Sequence, residues 1–466
     1  MLSLRGPSQK TVAVSAGVAL VFACTFSREL RVLPHALGPP LSPAPVNSIN
    51  AEEQLERGWI PEVQAFLTTS GGHTVPAGQA LRLLGQALLE SGDFAAAEAT
   101  LARAIEREPR PALRADVLWM LSQAAYWRGD FAESARLAKS AAEAGRSVPP
   151  GWISFLASGT GRTLYGGAET GARTRPLLIR FGRPSLPRLD VKVNDRSAGE
   201  MILDSGATLS LLTESAASRL GVELVQGAVT SFRGLHRAEL KMRLGWARSL
   251  SFGGVTLRDV PFGILPDGTL TFESEAVGVF SPPGVLGVHL MKEFDWRFEF
   301  EQRRVQAIRV VPAASRSPRE QNVFFRRLRP MVRASFNGRP WSLFLLDTGS
   351  EATMVTPAGL KANRFEGYEP SAPITLEGIG QSRVSWSKVS NLTLGISKWA
   401  VWFRNLVVNE GSEGIGDGVI GMSFLAPFDA ELRFSSMTLT LERAGERRAR
   451  DAEPWRPPGA SPGPGS

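Results

Sequence analysis

The sequence predicts a mainly β region of two similar lobes, preceded by an α-helical repeat region. A short phrase of three apolar residues, Asp, a hydroxyl residue and Gly occurs at 201–206 and again at 344–349. Apolar and polar residues alternate around both phrases, as they do in half-buried strands. A helical pattern upstream recurs from Gly92 to Gly129, a step of 37 residues. These repeats predict two copies of a β fold that follow a set of paired helices.

Each repeated phrase places one carboxylate where a buried strand ends in a tight turn. The acids are Asp204 and Asp347, and each is followed by a hydroxyl residue and a glycine. One such phrase alone is weak evidence, because Asp and Gly are ordinary turn residues. The glycine is expected to provide a positive φ and to let the two loops approach closely. Two acids brought together in this way can share a proton and activate water.

The flanks of the two acids make the repetition specific. Apolar-apolar-Gly elements end at Gly287 and Gly421, which lie 83 and 74 residues after the respective acids. Each element is followed by an apolar segment with the character of a helix start. Shorter segments between acid and glycine also correspond in the two halves. We interpret the region as an internal duplication of one lobe.

Over residues 176–445 these motifs resemble the retropepsin and pepsin group of aspartic proteases. The phrase at 204–208 is closer to the retroviral and bacterial single-lobe type, whereas two lobes in one chain is the arrangement of pepsin. The resemblance implies two pseudo-twofold-related β lobes with Asp204 and Asp347 as the catalytic pair at their junction. It also implies the residues that support this pair: hydroxyls of Ser205 and Thr348 that lock the loops together, the neighbouring Gly206, Gly349 and Ser350, and the backing glycines Gly287 and Gly421.

The chemistry implied by the pair needs only two carboxyl groups and a water molecule. Two carboxylates about 3 Å apart cannot both ionise easily, so the pair holds one proton and titrates as a unit. The ionised acid takes a proton from water while the protonated acid polarises the scissile carbonyl. We therefore expect no cofactor and no metal. The four histidines are scattered without metal-ligand spacing, and His289 is interpreted as a packing or surface residue.

Two features depart from the pattern of the resembled family. Ala207 stands where the second phrase has Ser350, so one carboxylate lacks a local hydroxyl donor and the pair is expected to be asymmetric. None of the three tyrosines falls in a flap candidate, which favours flaps of the retroviral type. The flap candidates are Phe232 and Gly234 in the first lobe and Gly378 and Gly380 in the second, and the alternative is that these are plain hairpin ends.

The composition changes along the 466 residues and divides the chain into seven segments. The predicted boundaries are 1–27 for a signal peptide or lipoprotein signal, 28–50 for a flexible linker, 51–145 for tetratricopeptide-like helical repeats, 146–175 for a linker, 176–312 for lobe 1, 322–445 for lobe 2 and 446–466 for a disordered tail.

The amino-terminal segment indicates export. Arg5 and Lys10 precede an apolar run at 11–26, which is short for a membrane span and typical of a signal peptide. Cys24, the only cysteine, lies at the end of this run in a context that resembles a bacterial lipoprotein cleavage box, in which the cysteine is lipidated. The alternatives are ordinary cleavage and an uncleaved anchor. We expect an exported protein of the cell envelope or periplasm, held at a membrane by the lipid or the anchor.

Helical periodicity dominates residues 51–145. The phrases Gly92-Asp93-Phe94 and Gly129-Asp130-Phe131 recur with Leu and Ala at the spacing of a tetratricopeptide repeat, a helix pair of about 34 residues. The resemblance implies a groove that docks a peptide or a protein partner. The alternative is a structural spacer, because solenoids usually need about three or more repeats.

The formal charge of +8 does not indicate nucleic-acid binding. Basic residues are spread over all segments among acidic ones, and no nucleic-acid-binding motif accompanies them. Two functions stay open: an aspartic endopeptidase that cuts an extended polypeptide, and a non-catalytic envelope scaffold that kept the two-lobed cleft for gripping peptides. Retention of both acids favours the enzyme. A third arrangement would pair lobes from different chains.

Overall fold

The computed structural model describes most of the chain between residues 30 and 443. The described residues are 22–23, 30–34, 45–69, 74–107, 110–168, 172–175, 177–178, 186–233, 239–274, 278–310, 320–365, 376–377, 387–409 and 416–443. The candidates Cys24, Gly234, Gly378 and Gly380 lie outside these residues, as does the whole of the predicted tail 446–466.

The described residues form eleven helices, seven of which precede the β region. These seven, which we call the helical region, are α1 Ala51–Glu56, α2 Ile60–Thr68, α3 Ala77–Glu90, α4 Phe94–Arg107, α5 Pro111–Arg128, α6 Phe131–Glu143 and α7 Pro150–Ser158. The other four are α8 Glu214–Leu220, α9 Val288–Met291, α10 Pro357–Ala362 and α11 Met422–Leu425.

Strands make up most of the rest of the described chain. The strands up to the end of lobe 1 are β1 Phe22–Ala23, β2 Leu30–Pro34, β3 Leu177–Leu178, β4 Arg188–Val193, β5 Arg196–Leu203, β6 Leu211–Thr213, β7 Glu223–Arg233, β8 Glu239–Phe252, β9 Val255–Leu265, β10 Phe272–Ser274, β11 Gly278–Phe280, β12 Gly284–Leu286, β13 Phe294–Glu299 and β14 Arg304–Arg309. Those of lobe 2 are β15 Val323–Arg326, β16 Arg329–Phe336, β17 Arg339–Leu346, β18 Met354–Val355, β19 Leu376–Glu377, β20 Ser387–Ile396, β21 Trp399–Val408, β22 Gly418–Ile420, β23 Phe428–Arg433 and β24 Thr438–Arg443.

Each lobe is built on one large sheet, and the two sheets present their acids in the same way. The sheet of lobe 1 has the order β4-β5-β12-β6-β9-β8-β7. The sheet of lobe 2 has the order β15-β16-β17-β22-β18-β21-β2, and β20 pairs with both β16 and β21. Asp204 follows β5, which runs parallel to β12, and Asp347 follows β17, which runs parallel to β22. The mainly β region after a helical region is confirmed.

A third sheet joins the two lobes, with the strand order β24-β23-β13-β14-β3. At its centre β13 of lobe 1 pairs antiparallel with β23 of lobe 2, and Arg297 lies opposite Glu431. Because backbone hydrogen bonds cross from one lobe to the other, this sheet fixes how the lobes are placed relative to each other.

The helical region contains two antiparallel helix pairs, α3–α4 and α5–α6. Their turns fall at the two Gly-Asp-Phe phrases of the sequence, and each Asp side chain accepts a hydrogen bond from the first turn of the next helix. Asp93 Oδ1 accepts from Ala96 N at 3.2 Å, and Asp130 Oδ1 accepts from Glu133 N at 3.1 Å. These carboxylates satisfy amides that a helix start leaves free. Assignment of the pairs to tetratricopeptide repeats stays a prediction.

The helical region packs on both lobes. On lobe 2, Arg333 bridges to Glu62 at 2.8 Å, and its guanidinium lies over the rings of Trp59 and Phe324 at 5.5 and 5.0 Å. On lobe 1, the buried ring of Trp246 packs against two helical aromatic side chains, Phe131 at 5.1 Å and Phe155 at 5.0 Å between ring centroids. The helical region therefore shares its hydrophobic core with the lobes.

Both segments predicted as linkers contain ordered elements. Within 28–50, β2 pairs with β21 at the edge of the lobe 2 sheet, and Arg31 lies over the ring of Trp402 at 5.3 Å. Within 146–175, helix α7 begins at Pro150 and buries Trp152 and Phe155. Proline is compatible with the first turn of a helix, which is why a segment rich in Pro and Gly can still begin one. Among the described helices, none has the length and apolar character needed to cross a bilayer.

Gly151 lets helix α7 approach strand β7 closely, and we expect the substitution Gly151→Val to destabilise the protein. A Cβ at this position would lie 2.5 Å from the backbone N of Val229 in β7. The helix or the strand would have to move, which should lower the free energy of unfolding by about 1–3 kcal/mol. Thermal denaturation checks this, with Ala157→Ser on the exposed face of α7 as the control. Equal melting temperatures for the two variants would contradict this packing role.

Candidate active site

The two acid-bearing loops are joined by four hydrogen bonds of their hydroxyl residues, two between these residues and two to backbone carbonyls of the opposite strand. Ser205 N donates to Thr348 Oγ1 and Thr348 N donates to Ser205 Oγ, both at 3.0 Å. Ser205 Oγ donates to Leu346 O at 2.8 Å, and Thr348 Oγ1 donates to Leu203 O at 2.6 Å. All of these groups are buried. The structure therefore brings together the two hydroxyl residues that the sequence predicted to lock the loops.

Each acid lies against the glycine of the opposite loop. A Cβ at Gly206 would lie 2.5 Å from Asp347 Oδ2, and a Cβ at Gly349 would lie 2.6 Å from Asp204 Oδ1. Neither glycine has a positive φ, so the expected positive φ is wrong at both positions. The close approach of the two carboxyl groups is what requires glycine here.

The two carboxyl groups are fully buried and lie within hydrogen-bonding reach of each other. Asp204 Oδ1 accepts from Gly206 N at 2.9 Å and from Ala207 N at 3.0 Å. Asp347 Oδ1 accepts from Gly349 N at 2.9 Å. The Oδ2 atom of each acid receives no hydrogen bond from any N–H or hydroxyl group of the described residues. The Oδ1 atoms are thus held by backbone N–H groups of the loops, whereas the buried Oδ2 atoms accept none of these bonds.

Burial is the largest cause that raises the pKa of each acid, and the other causes differ between the two acids. It raises the pKa of Asp204 to about 6, against the lowering effect of the hydrogen bonds from Ala207 and Gly206. Burial and the neighbouring Asp204 carboxylate raise the pKa of Asp347 well above its usual range. The buried Arg329 guanidinium opposes this rise only in part. The pair therefore holds one shared proton and titrates as a unit, and the additional backbone donor from Ala207 favours the ionised form of Asp204.

The asymmetry of the pair has a different origin from the one expected from the sequence. Ser350 was expected to give its acid a hydroxyl donor that Ala207 cannot give. In the structure, Ser350 Oγ donates to Ala352 O at 2.9 Å, whereas the backbone N–H of Ala207 donates to Asp204. A second backbone donor, and not a side-chain hydroxyl, distinguishes the two carboxyl groups.

Gly287 and Gly421 lie against the backbone of the two loops. Gly287 N donates to Ser210 Oγ at 3.1 Å, and Gly421 N donates to Thr353 Oγ1 at 3.2 Å. The residues just before these glycines hold the acids in place, since Asp204 N donates to Leu286 O and Asp347 N to Ile420 O. The two halves therefore repeat the same support.

The flap candidates are only partly described. Phe232 lies in β7, where its backbone pairs with Leu240 of β8, so it belongs to a hairpin that extends from lobe 1. Gly234, Gly378 and Gly380 are outside the described residues, as is the lipidation candidate Cys24. Among the described side chains, no group of three or more His, Cys, Asp or Glu residues could hold a metal ion.

Sequence reasoning missed one buried residue close to the site, Arg329, and interpreted a second, His289, only as a packing or surface residue. Arg329 begins β16 and interacts electrostatically with Asp347, and no local pattern singles it out. His289 is fully buried immediately behind the Asp204 loop, two residues after Gly287. Its position next to a backing glycine was the available signal, and its packing partners come from distant parts of the chain.

Comparison with known proteins bears on lobe 1. Residues 189–290 match the family model described as aspartyl protease, and the matched range contains Asp204 and Gly287. This match supports an aspartic protease. A solved structure, the aspartic proteinase from Irpex lacteus, is 12% identical, with a TM-score of 0.35 over 59% of this chain and 98% of that chain. The search of curated proteins found no match.

We expect the substitution Thr348→Val to weaken the junction between the loops. Valine keeps the shape of threonine but leaves Leu203 O and Ser205 N without their buried partner. The free energy of unfolding should fall by about 2–4 kcal/mol in urea denaturation.

The matched control is Thr256→Val, which removes one hydroxyl of an exposed hydroxyl pair with Ser251. This change should stay within about 0.5 kcal/mol of the wild type. If both substitutions cost the same, the reciprocal hydrogen bonds do not hold the loops together.

Proposed function

We propose that this protein is an aspartic endopeptidase that hydrolyses peptide bonds of protein substrates between Asp204 and Asp347. The observation that carries the proposal is the packing of each carboxyl group against the glycine of the opposite loop. Two buried acids within hydrogen-bonding reach of each other share one proton, which provides a general base and a general acid in the same site. The family match over lobe 1 supports the same class of enzyme.

The proposed reaction divides the work between the two acids. The Asp204 carboxylate accepts a proton from a water molecule, whose oxygen attacks the scissile carbonyl carbon. The protonated Asp347 donates a hydrogen bond and then its proton to the carbonyl oxygen, which gives a neutral tetrahedral diol. The proton on Asp204 then passes to the leaving nitrogen as the carbon–nitrogen bond breaks, and one diol proton returns to Asp347. Protons and electron pairs balance over the cycle.

An extended polypeptide is the substrate that this site would accept. The acid pair lies where the two β lobes meet, and β7 pairs with β8 at one edge of the lobe 1 sheet. A peptide strand can pair its backbone with such hairpins and place alternate side chains in pockets. We also propose that the protein is exported and held at the cell envelope through Cys24 or an uncleaved anchor, on the basis of the apolar run 11–26.

The alternative function is a non-catalytic scaffold that grips peptides in the same cleft. The buried acid pair argues against it, because burying two carboxyl groups side by side costs free energy that peptide binding alone does not require. A protein partner for the helical region is also proposed, on the surface of the repeats that does not face the lobes.

We expect peptide cleavage to be lost when either acid is replaced by its amide. Asp204→Asn removes the base, and Asp347→Asn removes the acid that polarises the carbonyl. Each should lower kcat/KM by roughly 1,000-fold or more with a mixed peptide library as substrate. Asp195→Asn is the control, since Asp195 is exposed in a turn with positive φ that asparagine also tolerates. Cleavage that survives in both site variants would overturn the proposed function.

The pH dependence of kcat/KM should be bell-shaped, with its acid limb at the pKa of Asp204, about 6. Below this pH Asp204 gains a proton and cannot act as a base, so activity falls as the pH decreases. Activity also falls on the alkaline side, where Asp347 loses its proton at a higher pH than Asp204 does. Initial rates between about pH 4 and pH 9 test this. A rate that keeps increasing below pH 5 would exclude Asp204 as the base.

A further inference from the structure

A buried aromatic cluster connects the helical region to the back of the Asp204 loop. Its centre is His289 on α9, whose side chain is fully buried. Tyr126 of α5 stacks on the imidazole with ring centroids 4.3 Å apart and the planes at 15°. Trp127 of α5 contacts the same ring at 5.1 Å. The helical region therefore reaches into lobe 1 directly behind the candidate active site.

A hydrogen bond ties the same histidine to the segment that follows the helical region. Tyr165 Oη and His289 Nδ1 are 2.9 Å apart, and either atom donates according to which ring nitrogen carries the proton. Charged groups hold this arrangement from the side: Lys292 lies over Trp127 at 5.3 Å and pairs with Glu293, which pairs with Arg309 at 2.9 Å. Arg309 also donates to Tyr165 O at 3.2 Å.

The imidazole itself stays neutral. Burial and the nearby Lys292 ammonium lower the pKa of His289 well below its usual range. A neutral buried ring does not transfer protons with solvent in the neutral range. Its role is to be held in place.

The backbone of His289 completes the path to the catalytic acid. Val288 N donates to Ala207 O at 2.7 Å, and His289 N donates to Thr208 O at 3.2 Å. Ala207 N is in turn one of the two donors to Asp204 Oδ1. Ala207 therefore accepts a hydrogen bond from α9 through its carbonyl oxygen and donates one to the Asp204 carboxylate through its N–H group.

Lobe 2 supplies an internal comparison, because its equivalent of His289 is Ser423, two residues after Gly421. Ser423 N donates to Glu351 O at 2.9 Å, which repeats the backbone bond of His289. The Ser423 hydroxyl, however, bonds within its own lobe to Thr353 Oγ1 at 3.0 Å. In lobe 2 the side chain at this position therefore bonds within its own lobe, whereas in lobe 1 it contacts the helical region.

We propose that the helical region and the segment that follows it are a built-in support of the active site, in which Tyr126 and Tyr165 hold His289 and through it position the Asp204 loop. This inference rests on the proposed protease function. His289, Tyr126 and Tyr165 are positioning residues and do not touch the substrate. The helical region then has an intramolecular role that a spacer or a separate docking module would not have.

The test compares His289→Ser, which copies the residue of lobe 2, with Tyr165→Phe, which removes only the hydroxyl. Both should lower kcat by on the order of 10-fold while KM stays within about twofold, because the base is displaced and the cleft is not. The acid limb of the pH profile should move to higher pH, since a weaker N–H bond stabilises ionised Asp204 less. His289→Asn should restore part of the activity, because its side-chain oxygen can accept the hydrogen bond of Tyr165.

The matched control is Ser158→Ala, which removes a 2.9 Å hydrogen bond from Trp246 Nε1 at the same interface but away from α9. It should lower the melting temperature to an extent similar to that of Tyr165→Phe, without moving the acid limb. If Tyr165→Phe and Ser158→Ala give the same pH profile, the inference is overturned while the protease function stands.

Hydrogen exchange measured by mass spectrometry over residues 204–210 gives a readout that does not need activity. His289→Ser and Tyr165→Phe should speed exchange of this segment, and Ser158→Ala should not. If the wild type cleaves no peptide but the variants show this exchange pattern, the proposed protease function is rejected. The structural coupling between His289 and the Asp204 loop then still stands. Unchanged exchange in both variants would reject the coupling whatever the activity.

Discussion

The structure depends on one contact, in which two buried carboxyl groups each lie against a glycine of the other loop. Any side chain at Gly206 or Gly349 would occupy the place of the facing acid. The reciprocal bonds of Ser205 and Thr348 fix the loops at this separation, and the pairing of β13 with β23 fixes the lobes that carry them. The loop hydrogen bonds and the pairing of the lobes therefore both maintain the close approach of the two carboxyl groups that Gly206 and Gly349 allow.

This contact lowers the stability of the folded state at neutral pH. Both acids have a raised pKa in the folded protein, so between about pH 4 and the folded pKa values the folded state holds protons that the unfolded chain would release. The contribution of Asp204 is fully present below the unfolded pKa and is lost as the pH rises through about 6, its folded pKa. The contribution of Asp347 is lost as the pH rises through the raised folded pKa of that acid. The packing of the helical region on both lobes offsets this cost.

The local parts of the site could be predicted from sequence, and the long-range parts could not. A strand that ends in Asp, a hydroxyl residue and Gly is a local signal, so both acids and Ser205 and Thr348 were found. The donor from Ala207 was missed because it is a backbone group that every residue type provides. The ordered segments in the predicted linkers were missed because β2 and α7 owe their order to partners in distant strands. The partners of His289 were missed for the same reason, since they are residues 126, 127 and 165, which are distant in the sequence.

The two lobes differ in the residue two positions after the backing glycine: His289 of lobe 1 contacts the helical region, whereas Ser423 of lobe 2 bonds within its own lobe. Both halves hold their acid by the same backbone bond, in which Asp204 N donates to Leu286 O and Asp347 N donates to Ile420 O. The two acids differ in what they must do next. Asp204, the proposed base, accepts hydrogen bonds from two backbone N–H groups of its own turn. Asp347 accepts one such bond. The Asp204 loop, which has the larger number of backbone donors, is also the loop behind which His289 of α9 contacts the helical region.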